Sequence, residues 1–185
     1  RNVYYIGNLE FACVKKGEVD FYDLNGDIVK KETTEIKWDA EAAEKGGFEH
    51  FMLKEIHEQP DAVRMTINPN VKNGLPDFDD IGLTVEKLRK YKNIYIVACG
   101  TAMHAGMVGK YVIEKMARVP VIVDIASEFR YRDPLITCDD LMIVVSQSGE
   151  TADTKAALEL GKLLGADTLA IVNVVGSSIA READM

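Results

Sequence analysis

Along the second half of the chain, apolar residues fall in short, near-continuous runs separated by stretches with helical spacing. Residues 94–98 (IYIVA), 121–125 (VIVDI), 141–145 (LMIVV) and 168–173 (TLAIVN) are such runs. Each suits a buried strand in length and is bounded by turn residues. Between them, residues 102–117 and 151–164 repeat apolar positions every three or four residues, and a short helix is expected near 127–131. Near-continuous apolar strands that alternate with helices indicate a parallel sheet covered on both faces. The expected fold class is α/β, a flavodoxin-like parallel sheet. In that order, 2-1-3-4-5, strands one and three are neighbours.

The first 80 residues have a different texture. Residues 1–36 alternate short β-type runs with turn signals. Lys16-Gly17 separates 11–14 from 19–22, and Asn25-Gly26 separates 19–24 from 27–31, a good hairpin signal. Three short strands do not make a stable unit alone. Residues 1–36 therefore read as the C-terminal β segment of a larger domain. Residues 37–80 read as a linker with short helices. Gly46-Gly47 precedes FEHFMLKEIHE, which places Phe48, Phe51, Met52 and Ile56 near one helical face. Pro60 is expected to end that helix and open a second over 60–67. Residues 68–80 are a turn-rich connector. Residues 81–185 form the α/β domain. A doubly wound sheet usually has a further strand, so this domain is expected to be incomplete at its C-terminal end. A start at Arg1 rather than Met carries the same expectation for the N-terminus.

Charge and composition exclude several functions. Of 185 residues, 30 are acidic and 22 basic, a net charge of -8. That disfavours nonspecific nucleic-acid binding and an anionic membrane surface. No apolar run approaches the ~20 residues of a membrane span. Cys13, Cys99 and Cys138 are scattered, without CxxC spacing, as in a reduced cytoplasmic protein. HEQPD has Asp61 where a zinc-binding HExxH would need its second histidine. GxGxxG is absent, and Gly149 to Lys155 does not complete GxxxxGK[ST]. No metal or cofactor is expected.

The polar residues concentrate at two strand-to-helix corners, ACGTA (98–102) and SQSGET (146–151). If strands one and three are neighbours, both corners open onto the crevice at the carboxyl ends of the strands, where ligands of such sheets bind. A helix N-terminus offers free N–H groups and about half a positive charge. Ser146, Ser148, Thr151 and Thr101 add hydroxyl donors, and Gly100 and Gly149 let backbone approach an anion closely. Such a site holds a phosphate without a lysine or arginine. The plainer alternatives are that Thr151 is only a helix cap and Cys99 a buried inert thiol. His57 is read on the polar side of a helix, and His104, one turn into the helix after CGTA and within reach of the crevice, as packed or in solvent. Arg130, Arg132, Asp124 and Glu128 are read as an ion-paired face.

The motifs FMLKEIHEQP, CGTAMHAG, ASEFRYR, VVSQSGETADT and NVVGSSIAREAD closely resemble the glutamine–fructose-6-phosphate aminotransferase (isomerizing) family. SQSGET by itself marks the broader sugar isomerase (SIS) family. The likeness covers nearly the whole chain, including the initial hairpins, which resemble the end of that family's glutaminase domain. The resemblance implies that ammonia from glutamine is passed to fructose 6-phosphate held by two tandem SIS domains, giving glucosamine 6-phosphate. It implies phosphosugar contacts at Cys99, Gly100, Thr101, Ser146, Gln147, Ser148 and Thr151. Ala102 departs from the serine often found there. It further implies a homodimer, and that the glutaminase nucleophile and the ring-opening and isomerising residues lie outside these 185 residues. The alternatives are another SIS enzyme, such as a fructosamine-6-phosphate deglycase, or a non-catalytic sugar-phosphate sensor. The β hairpins at residues 1–36 weigh against both.

Overall fold

The computed structural model describes residues 2–35 and 44–185. Residues 37–43 of the linker expected over 37–80 lie outside them. The chain divides into two compact units, Arg1–Arg64 and Met65–Met185.

In the first unit, β1 (Asn2–Val3) pairs antiparallel with β4 (Thr34–Glu35), and β2 (Phe11–Lys15) with β3 (Glu18–Tyr22). The Lys16-Gly17 turn works because Gly17 takes a φ of 84°. Phe11 and Tyr22 stack across β2 and β3 at 5.3 Å. The third strand expected over 27–31 shrinks to one bridge, Tyr22 to Ile28. Asp23 explains this. Its Oδ1 accepts the backbone N–H groups of Asn25 (2.8 Å) and Asp27 (3.0 Å), so the Asp27 amide is not available to extend a ladder.

Helix α1 (Phe51–Ile67) continues through Pro60. The two helices expected on either side of that proline are one. Proline removes a single backbone donor and crowds the carbonyl four residues back, at a cost of about 3 kcal/mol. Here the turns on both sides keep local partners: Lys54 pairs with Glu58 at 3.6 Å and Arg64 with Asp61 at 2.7 Å. The apolar side chains Phe51, Met52 and Ile56 are exposed. Asn70 Nδ2 donates to the Thr66 carbonyl (2.8 Å) and closes the last turn.

In the second unit, a small hairpin, β5 (Val71–Lys72) with β6 (Leu75–Pro76), precedes α2 (Val85–Leu88). Thr84 caps α2 by accepting from the Lys87 N–H at 3.2 Å, an element the apolar pattern does not reveal. The sheet follows: β7 (Asn93–Ala98), β8 (Val121–Ile125), β9 (Asp140–Ser146) and β10 (Asp167–Val172), all parallel, in the order β10-β9-β7-β8. Its first strand thus lies between its second and third, as the flavodoxin-like order requires. The crossovers carry α3 (Gly100–Ala117), α4 (Ala126–Phe129) and α5 (Ala152–Leu163), and α6 (Ser178–Glu182) follows β10.

Alternate residues of each strand point to opposite cores. Tyr95, Val97, Met142 and Val144 pack with Phe129, Leu158 and Ile179 on one face; Ile94, Ile96, Leu141 and Ile143 pack with Leu83 and Tyr91 on the other. Glycines set how closely the helices approach. A Cβ on Gly106 of α3 would lie 2.7 Å from Ile96 Cγ2, and one on Gly161 of α5 2.3 Å from Met142 Sδ. Helices therefore cover both faces, and the fold class is the one expected.

The C-terminal residues are pinned to β10 by Asp184. Its Oδ2 accepts from Thr168 N–H (3.0 Å) and Thr168 Oγ1 (2.6 Å), and its Oδ1 meets Lys162 Nζ at 2.8 Å. Burial pushes this carboxyl up, but the Lys162 and Thr168 contacts outweigh it and hold the pKa below its ordinary 3.8. A depressed carboxylate stabilises the fold fully above its unfolded pKa and loses that contribution as pH falls through the folded value. Asp184→Asn should therefore flatten the acid limb of stability below pH 3.8 and lower the thermal midpoint at neutral pH. Thermal melts of both proteins from pH 2 to 7 check this; parallel curves would contradict it.

Candidate functional site

Both corners form where a sheet strand ends in a short polar turn. β7 stops at Ala98, Cys99 is extended, and Gly100 opens α3 with a φ of 56°. α3 therefore starts two residues earlier than its apolar spacing indicates. β9 stops at Ser146, and Gly149 takes a φ of 67° to swing the chain into α5. Because β7 and β9 are adjacent and in register, with Ala98 opposite Val145, the two turns stand side by side at the carboxyl edge.

Between them lies a cavity of about 420 Å³, lined by Thr101 and Ala102 from the first corner and Val145, Ser146 and Gln147 from the second. Thr66, Ile171, Val172 and Asn173 complete the wall. This volume is within the range of small-molecule sites. None of the nine lining residues carries a charge. A larger cavity of about 690 Å³ shares Thr66, Ile171 and Val172 but is walled mainly by apolar residues such as Phe78, Ile81 and Leu83. It contains neither corner, so the smaller cavity is the candidate site.

The second corner is internally bonded. Ser146, only 4% exposed, accepts the Gly149 N–H on its Oγ at 3.0 Å, and that Oγ lies 3.1 Å from Thr151 Oγ1. Thr151 does sit at the N-cap of α5, but its hydroxyl makes no capping bond and turns to Ser146 instead. Ser148 Oγ accepts the Glu150 N–H at 3.2 Å. Cys99 is half-buried, and its Sγ accepts from Thr154 Oγ1 at 3.8 Å.

Of the seven expected contact residues, Thr101, Ser146 and Gln147 line one cavity. Gly100 and Cys99 shape its first corner, and Ser148 and Thr151 its second, without forming the cavity wall. Thr66 and Asn173 line it without having been anticipated. Asn173 had a signal, since it follows the strand adjacent to β9. Thr66 had none, because its place depends on the path of the connector after α1. His57 stacks on Phe48 at 5.3 Å and is exposed, as is His104. The charged group near β8 is divided: Arg132 pairs with Asp124 at 2.5 Å, while Arg130 reaches Asp153 on α5 at 3.0 Å. Among the described residues, no group of three or more His, Cys, Asp or Glu could hold a metal ion, and no helix is long and apolar enough to cross a membrane.

The second unit is thus a parallel sheet with two polar corners side by side at its switch point. The chain belongs to the SIS domain family, which matches residues 87–185. Over its whole length it is similar to the glutamine–fructose-6-phosphate aminotransferase (isomerizing) of Clostridium acetobutylicum, with 60% identity over 185 residues, 100% of this chain and 30% of that protein. The enzyme of the same name from Methanosarcina mazei is 43% identical over 186 residues, again 100% of this chain and 30% of the relative. Among solved structures, the C-terminal domain of glucosamine-fructose-6-phosphate aminotransferase from Francisella tularensis superposes with a TM-score of 0.69. It is 47% identical and covers 76% of this chain and 39% of its own. The chain thus spans 30% of the length of these curated relatives.

Proposed function

We propose that this chain holds the phosphosugar in a cytoplasmic, homodimeric enzyme that makes glucosamine 6-phosphate from fructose 6-phosphate and glutamine. The observation that carries this reading is the meeting of Thr101 with Ser146 and Gln147 in one uncharged cavity at the switch point. The similarity to aminotransferases of that name supplies the substrate.

The chemistry is anion binding by neutral donors. Ser146 Oγ has two lone pairs. When they take the Gly149 N–H and the Thr151 hydroxyl, the Ser146 hydrogen is free to point at a phosphate oxygen. Thr101 donates from the opposite corner, and the Gln147 amide adds two N–H groups. The first-turn N–H groups of α3 and α5 supply the positive ends of two helix dipoles. Cys99 and Gly100 set the first turn, and Ser148 and Thr151 brace the second. Ala102 stands where a hydroxyl contact is often made, so that contact is lost here. Glutamine hydrolysis, sugar ring opening and isomerisation are assigned to a glutaminase domain and a second SIS domain of the same protein. Residues 1–36 are the end of the first of these, 37–80 the linker, and 81–185 the first SIS domain. No residue of this chain is assigned a catalytic role.

Calorimetry with fructose 6-phosphate, glucose 6-phosphate and fructose tests this. The two phosphates should bind and fructose should not. Ser146→Ala combined with Thr151→Ala should weaken binding at least tenfold, about 1.4 kcal/mol. Equal binding of fructose would remove the phosphate site. Glucosamine 6-phosphate formed from ammonia by the chain alone would overturn the assignment of catalysis elsewhere.

A further inference from the structure

The turn at 146–151 is fastened from behind by the segment that follows β10. Asn173 N–H donates to the Gln147 carbonyl at 3.3 Å, and Ile179 N–H to the Gly149 carbonyl at 3.0 Å. Between these ties, Ser178 N–H donates to Glu150 Oε1 at 2.7 Å. Ser177 fills the gap beneath. It is 3% exposed, its Oγ has no hydrogen-bond partner among the described residues, and it abuts Gly149 so closely that a Cβ there would lie 2.0 Å from that Oγ. The turn is tied on either side of Gly149 and wedged at it.

Glu150 is the odd residue in this arrangement. A carboxylate within a turn that presents donors to an anion opposes binding by simple charge repulsion. Yet it is not in the cavity wall, and its oxygen is engaged by residue 178. We propose that Glu150 is a positioning residue: by gripping the Ser178 amide it locks the 146–151 turn in the shape that aims Ser146 and Gln147 at the ligand. This rests on the phosphosugar reading above. The Ser178 amide, then its hydroxyl, holds the Glu150 carboxyl below its ordinary range, so the grip persists through neutral pH.

Removing the charge separates the two effects by sign. If Glu150 merely sits near the site, both Glu150→Ala and Glu150→Gln tighten fructose 6-phosphate binding. If it positions the turn, Glu150→Ala weakens binding about tenfold, and Glu150→Gln, which keeps an acceptor oxygen, stays within about threefold of the parent. Calorimetric titration of the three proteins with fructose 6-phosphate reads this, with thermal midpoints recorded alongside. Alanine binding equal to or tighter than the parent overturns the proposal, as does an equal loss in alanine and glutamine. Should the parent itself bind no fructose 6-phosphate, the phosphosugar reading fails instead. Amide exchange then decides the clamp: faster exchange at residues 146–151 and 178–179 in Glu150→Ala upholds it, and unchanged exchange overturns it.

Discussion

Phe129→Ala should destabilise the protein by about 3–5 kcal/mol, the range for deleting a fully buried aromatic side chain. Phe129 ends the four-residue helix α4 and has no exposed surface. Its ring meets Tyr95 edge-on at 6.2 Å, and the Arg132 guanidinium lies 5.7 Å from its centroid. So short a helix has almost no stability of its own; this anchor holds it against β7. Losing the ring also loosens the route by which Arg130 reaches Asp153 in the first turn of α5. Urea unfolding at neutral pH measures the change, and Phe129→Leu should lose markedly less. A loss under about 1 kcal/mol in the alanine variant would mean that the site collapses to fill the space.

Gly149→Ala should cost both stability and ligand. Two terms add. At a φ of 67° a side chain costs about 1–2 kcal/mol. The new Cβ would also lie 2.0 Å from Ser177 Oγ and 2.5 Å from Ser177 Cβ, and relieving such overpacking costs about 1–3 kcal/mol. Ser177→Ala does not rescue the variant, because the Cβ–Cβ clash persists. Relief requires the turn or the Ser177 segment to move, which either carries the Gly149 N–H away from Ser146 Oγ or pulls on the Ile179 and Ser178 ties that hold the turn. Fructose 6-phosphate affinity should therefore fall by more than tenfold, or about 1.4 kcal/mol, even at temperatures where the variant is folded. Undiminished affinity in a folded variant would show that the turn tolerates displacement.

The sheet was legible because its strands are apolar on both faces, a pattern with few other solutions. Each of the four strands falls within a residue of its expected ends. Strand order was supposed from the common flavodoxin-like arrangement rather than derived, and the adjacency of Thr101 and Ser146 was conditional on it. Less was legible where one residue overrides a local rule. Pro60 reads as a helix stop, yet one lost bond in a 17-residue helix does not end it. Asn25-Gly26 reads as a hairpin, yet the Asp23 side chain captures the amide that the next strand would use. Thr84 capping α2 is a one-residue signal inside a polar stretch. Contacts between distant segments outside the strand pairing were not legible. Nothing about Glu150 in sequence announces Ser178, 28 residues on, and nothing about Thr66 announces a cavity wall.

The uncharged wall of the candidate cavity has a practical corollary for titration experiments. Threonine, serine, glutamine, asparagine and aliphatic side chains do not ionise between pH 5 and 9, so no lining residue changes charge as the buffer is varied. The acid–base behaviour of complex formation then belongs to the guest: a phosphate monoester sheds its second proton near pH 6, about where uptake should reach half its plateau. A sulfate ester of the same sugar, monoanionic throughout, should give a flat profile.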